Sequence, residues 1–333
     1  MKAIIPVAGI GSQLRPHTHT QPKSLVPIAG KPIIAHIIDY LREGGIKDFV
    51  FVIGYLGSKV ESYILEEYKE KDIEISFVVQ EPRKGIAHAL YCVRDHIKKA
   101  DELLVLLGDT ILELDLKKFL ASKDSIIGIK KVDNPGKFGV VELDEDNYVK
   151  RLVEKPKIPK SNLAMVGIYK AIDPALLAEA VEYIIEHKIK TLGEYQLTDA
   201  LTYMLKKGKK ITTLVVDNWY DCGQKESLLE ANAILLNKPA VSSPKEGDFE
   251  NTIIIPPASI GKNCFIQNSI IGPNVAIGNN SSIESSIVTN SIIGSYSELK
   301  NTVLENSIIG NDSSLNGLSQ NLNIGDNTEI NFS

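Results

Sequence analysis

Along the N-terminal part of the chain, the spacing of apolar positions switches repeatedly between two periods. Residues 2–7 form a short, nearly continuous apolar run of strand length, as do 48–53, 73–79 and 103–107. Between these runs the spacing is helical. Ile34, Ile37, Ile38 and Leu41 fall at i, i+3, i+4 and i+7, one face of a helix that Gly44-Gly45 closes. Helices are likewise expected near 58–70 and 86–99. Strand and helix in alternation predict an α/β fold: an open, Rossmann-like, mostly parallel sheet with helices on both faces. Ligands of such sheets sit beyond the carboxyl ends of the strands, which directs attention to the loops after Val7, Val79 and Leu107.

The pattern changes near residue 250. Asn-Ser-Ile-Ile-Gly recurs at 268–272, 290–294 and 306–310, and Ile-Gly at 260–261, 277–278 and 324–325. An aliphatic residue followed by Gly and small polar residues reads as a parallel β-helix. Aliphatic side chains point inward, and Gly or Asn takes the corners, where a left-handed backbone is tolerated. Repeat separations of 22 and 16 residues bracket a coil of three hexapeptides. The repeat resembles the left-handed β-helix of hexapeptide-repeat acyltransferases and sugar nucleotidyltransferases. A Pro-, Ser- and Gly-rich stretch from Lys238 to Gly247 reads as a linker. The expected organisation is a catalytic domain over 1–237, a linker over 238–250 and a β-helix over 251–333.

Composition sharpens this division. A chain of 333 residues suits about two domains. The net charge of −5 is uneven: residues 251–333 hold two Lys and six acids, leaving the first 250 nearly neutral. The tail also holds 15 of the 21 Asn and none of the six His. A slightly acidic chain lacks the electrostatic footprint of a nucleic-acid binder. Cys92, Cys222 and Cys264 lie too far apart for a zinc site or a disulfide framework, which suits a reducing compartment. No apolar run approaches the ~18 residues of a membrane span, and Met1-Lys2-Ala3 leads straight into a strand. A cytoplasmic protein is expected.

The loop after the first strand reads Ala8-Gly9-Ile10-Gly11-Ser12-Gln13-Leu14-Arg15-Pro16, followed by Thr18, Pro22 and Lys23. Closely spaced glycines let backbone N–H groups turn toward phosphate oxygens, and Arg15 and Lys23 add charge. A dinucleotide fingerprint fails because Leu14 occupies the third glycine position, and no Walker A pattern is present. The whole run through Lys23-Ser24-Leu25-Val26-Pro27 is similar to the G-x-G-[TS]-R-L-x-P-x-T…P-K-x-L-x-P signature of sugar-1-phosphate nucleotidyltransferases, glucose-1-phosphate thymidylyltransferases above all. Other segments agree in order. Gln80…Gly85-Ile86-Ala87 resembles the family's base-recognition loop and Leu107-Gly108-Asp109 its metal-binding motif. Phe138-Gly139-Val140-Val141-Glu142 and Glu154-Lys155-Pro156 resemble its sugar-phosphate segments, and Trp219-Tyr220-Asp221-Cys222-Gly223 its W-x-D-x-G motif.

The resemblance implies the reaction NTP + sugar 1-phosphate → NDP-sugar + pyrophosphate. The nucleophile, a phosphate monoester with a second pKa of about 6, is largely dianionic at neutral pH and needs no general base. Positioning and electrostatics then carry the catalysis. By resemblance Ala8, Gly9, Gly11, Ser12 and Gln13 bind the nucleotide, with Arg15 and Lys23 on its phosphates; Arg15 also reads as a surface charge. Asp109 and Asp221 are implied as the ligands of Mg2+, a cation bound by one or two carboxylates plus substrate phosphates. Gln80 and Gly85 would read a pyrimidine, dTTP or UTP, since an amide offers both a donor and an acceptor. Gly139, Glu154 and Lys155 would hold the sugar phosphate, glucose 1-phosphate by resemblance; Asn162 and Met165 line the sugar or simply pack.

One residue departs from the pattern. Gln13 stands where the family has arginine, which opens a second reading: a weakened sugar-nucleotide-binding protein that regulates or scaffolds a partner. Acetyl transfer by the β-helix lacks its chemistry, because no His follows His187. The β-helix is expected to mediate homo-oligomer assembly or regulation. His17-x-His19 reads as loop surface, the Lys206–Lys210 cluster as a helix end, and Cys222 as a small buried filler.

Overall fold

The structure is a computed structural model that describes residues 1–238, 244, 247–317, 319–320 and 322–331. Most of the expected linker, residues 239–243 and 245–246, lies outside the described residues. The chain divides into two compact units, Met1–Gly9 with Ile37–Trp219, and Ile10–His36 with Tyr220–Ser333.

The first unit is built on nine strands: β1 (Lys2–Pro6), β2 (Asp48–Ile53), β3 (Glu74–Val79), β4 (Leu103–Leu106), β5 (Ser125–Lys131), β6 (Gly139–Leu143), β7 (Val149–Glu154), β8 (Leu163–Ala171) and β9 (Ile211–Val215). Their order is β7-β6-β8-β4-β1-β2-β3, with β5 paired to β8 and β9. The half that alternates strand with helix, β4-β1-β2-β3, is parallel throughout. Where strand follows strand in sequence the pairing turns antiparallel, β8 against β4, β5 and β6, and β7 against β6. In chain order the helices are α1 (Ile33–Glu43), whose first four residues count with the second unit, then α2 (Gly57–Glu67), α3 (Ile86–Cys92), α4 (Arg94–Lys98), α5 (Leu116–Leu120), α6 (Pro174–Glu186) and α7 (Leu197–Lys206) of the first unit, and α8 (Lys225–Leu236) of the second.

Strand periodicity sends alternate residues of β2 to opposite faces. Val50 and Val52 join Leu90, Val93, Val181 and Leu201 in one core, while Phe49 and Phe51 stack on the other side with ring centroids 6.1 Å apart. The predicted face of α1 is fully inside: Ile34, Ile37, Ile38 and Leu41 are at most 2% exposed. Gly45, at φ 89°, ends that helix, with its N–H bonded to Arg42 O. The single helix expected over 86–99 is instead two, broken at Val93 (φ −105°, ψ 16°), a change of direction that keeps Leu90, Val93 and Ile97 in one core. The lysine cluster does close α7, and Cys222 is fully buried.

The second unit carries a left-handed parallel β-helix of three five-stranded parallel sheets. Its axis is filled by Ile271, Val275, Ile283, Val288, Ile293, Leu299 and Leu304, each at most 1% exposed. Coil length corrects the hexapeptide expectation. Phe265 pairs with Ser282, Ser282 with Glu298 and Ser314 with Glu329, so successive coils take 17, 16 and finally 15 residues. The 22-residue separation is no coil: Ile270–Ile271 lies on a different sheet from Ile292–Ile293 and Ile308–Ile309.

Corner chemistry is also divided differently from expectation. The left-handed backbone is taken by asparagines such as Asn263, Asn274, Asn280 and Asn301, with φ between 54° and 63°. Of the Ile-Gly glycines, Gly272 also takes a positive φ (107°), as expected, whereas Gly261, Gly278, Gly294, Gly310 and Gly325 serve close approach. A Cβ on Gly278, Gly294 or Gly310 would lie 2.4–2.7 Å from the carbonyl carbon of the glycine one coil further. His17, expected on the loop surface, is 6% exposed, and its Nε2 lies 2.7 Å from Asn323 Oδ1 within this unit. Burial pushes its imidazole below the ordinary value.

A methyl group at Gly294 should therefore force the coils apart. Gly294→Ala should lower stability by about 1–3 kcal/mol, the usual cost of overpacking. Thermal unfolding checks this, and an unchanged midpoint would show that the corner opens freely.

Candidate active site

In the first unit, glycines let segments of backbone pass closely at the strand ends. Past β1, Ala8 is 4% exposed, and a Cβ on Gly54 would meet Ala8 Cβ at 2.8 Å. Gly9 is exposed, with nothing within 4 Å of where a Cβ would stand. At the end of β4, Gly108 N–H bonds Pro6 O at 3.2 Å, and a Cβ there would strike Val7 Cγ1 at 2.3 Å. That crossing sets Asp109, half-buried, directly after the sheet; its Oδ1 is 3.5 Å from Thr110 Oγ1.

Gln80 directly follows β3 and is buried at 4% exposure. Its Nε2 donates to Gly85 O at 2.9 Å and lies 3.2 Å from His88 Nδ1. A carbonyl only accepts, so the Gly85 contact fixes which end of the amide is nitrogen, and His88 Nδ1 must then act as an acceptor. Both amide hydrogens are committed, and among the described residues no donor engages Oε1. The donor half of the amide, expected to face a ligand, is thus used inside the protein. Burial, and secondarily the Lys84 ammonium, hold His88 below the ordinary imidazole value. Gly85, at φ 104°, lets the loop pass Tyr195, whose O accepts from Ala87 N–H at 3.0 Å and whose N–H donates to Lys84 O at 2.8 Å.

A third cluster joins β6, β7, β8 and the first turn of α7. Thr198 Oγ1 donates to Glu154 Oε2 at 2.5 Å. A Cβ on Gly139 would meet Met165 Cε at 2.2 Å and the same Glu154 oxygen at 3.1 Å, so Gly139, Glu154, Met165 and Thr198 share one spot. Lys155 is exposed and held in the left-handed region (φ 40°), its N–H bonded to Phe138 O. Asn162 is exposed at the start of β8 and is engaged through its carbonyl, by Val132 N–H. Sequence reading missed His88, Tyr195 and Thr198. The available signal was the polar run Thr198-Asp199 opening an amphipathic helix directly after Tyr195.

In the second unit, Gly11 occupies the left-handed region (φ 68°, ψ 40°) and opens a 3-10 turn over Ser12–Leu14. Leu14 is buried, whereas Ser12, Gln13 and Arg15 are exposed. Gly11 O accepts from Thr18 Oγ1 at 2.8 Å and Leu14 N–H at 3.0 Å. A Cβ on Gly11 would lie 2.9 Å from Lys23 Cβ, so only glycine lets the loop fold back onto Lys23. Lys23 Nζ stands 3.8 Å from Asp221 Oδ1, which also accepts Gly223 N–H at 3.0 Å. Gly223 provides the room, since a Cβ there would be 2.8 Å from Nζ.

The donor chemistry fits a hard divalent cation. Asp109 in the first unit and Asp221 in the second each offer carboxylate oxygens, and among the described residues no group of three or more His, Cys, Asp or Glu could hold a metal by itself. A protein contribution of one or two carboxylates, completed by substrate phosphates and water, is the habit of Mg2+ rather than of structural zinc.

The nucleotidyl transferase family model matches residues 2–238. The low-salt glycan biosynthesis nucleotidyltransferase Agl11 of Haloferax volcanii is 36% identical over 71% of this chain and 66% of its own length. The bifunctional protein GlmU of Methanocaldococcus jannaschii is 38% identical over 77% of this chain and 59% of its own. The chain thus spans about 59–66% of the length of these curated relatives. Among solved structures, a Bacillus anthracis protein described as a glucose-1-phosphate thymidylyltransferase, in complex with a sucrose, shares 31% identity at a TM-score of 0.63, over 74% of this chain and 98% of that one. A UDP-glucose pyrophosphorylase complexed with UDP-glucose shares 28% identity at a TM-score of 0.62, over 70% and 97%. With the family model covering well over half of its length, the chain belongs to the nucleotidyl transferase family.

Proposed function

We propose that the protein transfers a nucleotidyl group from a pyrimidine nucleoside triphosphate, UTP or dTTP, to a sugar 1-phosphate, glucose 1-phosphate first among them. The observation that carries this reading is the Gly11–Lys23 fold-back, in which a left-handed glycine brings the Ser12–Leu14 turn against the stem of a lysine. The phosphate oxygen of the sugar attacks the α-phosphorus, and the bond from that phosphorus to the bridging oxygen of pyrophosphate breaks. Gly9, Gly11 and Ser12 supply N–H donors to the triphosphate, while Lys23 and the exposed Arg15 bring positive charge to it. Mg2+, assigned to Asp109 and Asp221, would offset the negative charge gathered on the phosphates. Glu154, aimed by Thr198, accepts from sugar hydroxyls, and Lys155 meets the sugar phosphate. No observation favours the binding-protein reading suggested by Gln13.

Release of pyrophosphate should be measured with Mg2+, each NTP and a panel of sugar 1-phosphates. Turnover with UTP or dTTP supports the reading, and turnover confined to purine nucleotides would overturn the base assignment. Asp109→Asn should reduce kcat at least about a hundredfold, the scale of losing one electrostatic stabiliser, with an unchanged circular dichroism spectrum. Full activity would remove Asp109 from the site.

Base reading also implies a pH dependence. Gln80 Oε1 is an acceptor and suits the N3–H of uracil or thymine, not the N3 lone pair of cytosine. That orientation needs His88 Nδ1 unprotonated. Because burial favours the neutral ring, the interaction is intact above the lowered pKa and is lost as pH falls through it. KM for UTP or dTTP should therefore rise as pH falls through that lowered pKa, and His88→Gln should flatten that limb. A steep limb retained in the variant would assign it elsewhere.

Self-association through the β-helix belongs to the same reading. It is supported by the outward Ile253, Ile287 and Val303, 57, 40 and 42% exposed along one sheet. Sedimentation of Ile287→Asp with Val303→Asp should show a smaller species than wild type; identical sedimentation would exclude this surface.

A further inference from the structure

Within the second unit, two ladders run along one corner of the β-helix. In the first, Gly261, Gly278, Gly294 and Gly310 each face the backbone at the following rung, closely enough that a Cβ would collide. Gly325 closes the series, and what its absent Cβ faces is Pro16: Cβ at 3.0 Å and Cγ at 3.1 Å. In the second, each backbone N–H finds a side-chain acceptor one coil on. Lys262 N–H binds Asn279 Oδ1, Asn279 N–H Ser295 Oγ, Ser295 N–H Asn311 Oδ1 and Asn311 N–H Asp326 Oδ1, at 2.7–3.1 Å. This ladder too ends on the loop, because the other oxygen of Asp326 accepts from Thr20 Oγ1. Beside them, buried His17 bonds Asn323 Oδ1 at 2.7 Å. Residues 16–20 thus occupy the station of a further coil.

We infer that the last coil of the β-helix is a positioning element for the phosphate loop. It docks residues 16–20 as though they were its next rung and so presets Gly11, Ser12 and Lys23 for the triphosphate. This rests on the proposed function of that loop. The coupling is short: Thr18, between the docked Pro16 and Thr20, donates through Oγ1 to Gly11 O at 2.8 Å. Further along, the loop segment and the β-helix part around a cavity of about 610 Å³, lined by Gln21, Lys31, Lys262 and Tyr296 among others, before Gly30 meets Ser259. Along this corner Asn323, Gly325 and Asp326 make the contacts to residues 16–20, and Asn311 Nδ2 donates to Gln21 Oε1 at 3.4 Å. A short 3-10 segment held loosely would have to be ordered by the nucleotide, and that ordering entropy would be subtracted from affinity.

The test uses the full chain with Asn323→Ala combined with Gly325→Val, which removes one bond and wedges Pro16 away without touching a residue assigned to substrate. Hydrogen exchange at residues 11–20 should accelerate. KM for UTP or dTTP should rise at least about tenfold while KM for glucose 1-phosphate stays within about twofold, since only nucleotide binding bears the ordering cost. A merely structural loss would not divide the two KM values. Unchanged exchange at 11–20, or faster exchange with an unchanged nucleotide KM, would overturn the positioning role while leaving the proposed function standing. A wild type inert toward every NTP would instead overturn the reading of the loop itself.

Discussion

At every corner of a parallel β-helix the backbone leaves the strand ladder, and the N–H groups stranded there must still find acceptors. Most of the second unit follows from that requirement. Asn, Ser and Asp side chains supply an acceptor one coil on, while most of the 15 Asn in the C-terminal quarter take the left-handed backbone at other corners. Buried hydroxyls do the same at another corner, where Ser286 N–H bonds Ser269 Oγ and Thr302 N–H bonds Ser286 Oγ. Such a ladder has no natural end. Its last acceptor, Asp326, takes a donor from residues 16–20, so the loop that opens the unit also completes the β-helix.

A related constraint shapes the first unit, where backbones cross at strand ends. Gly54 against Ala8 and Gly108 against Pro6 and Val7 allow contacts no side chain would tolerate. These crossings fix the direction in which the chain leaves the sheet, and with it where Asp109 stands. The polar groups nearby are then oriented by neighbours rather than by the sheet: Gln80 by Gly85 and His88, Glu154 by Thr198. A buried amide, or a half-buried carboxylate, held in this way loses little freedom on meeting a ligand.

Periodicity made the sheet, α1 and the β-helix legible in the sequence, because each rests on a repeat of apolar positions that burial enforces directly. Motif residues such as Gly11, Lys23 and Asp109 were legible through their spacing. What escaped was set by contacts across the sequence. His17 is buried by Asn323, more than 300 positions away, so nothing local distinguishes it from an exposed loop histidine. Thr198 matters only because Glu154 meets it from another strand, and the commitment of Gln80's donor depends on a histidine one helical turn into α3. The coil length was misread for a different reason. Identical pentapeptides lie on different sheets, so a repeat in composition is not a repeat in geometry.

The pairing of Lys23 with Asp221 bears on how a polyanion is received. An ion pair at 3.8 Å, with side chains 15% and 35% exposed, is worth at most about 1 kcal/mol. A bound phosphate can therefore displace or share the carboxylate at little cost, whereas an unpaired lysine would rest in many rotamers. Gly223 keeps the ammonium over Asp221 without a methyl group in the way, and Gly11 keeps the lysine stem against the loop. The carboxylate thus aims the cation without holding it tightly. Under the proposed function the same reasoning bears on Gln13. Charge at the phosphates must come from groups already directed toward them, so an arginine missing from a pre-ordered loop costs less than one missing from a loop the nucleotide must first arrange.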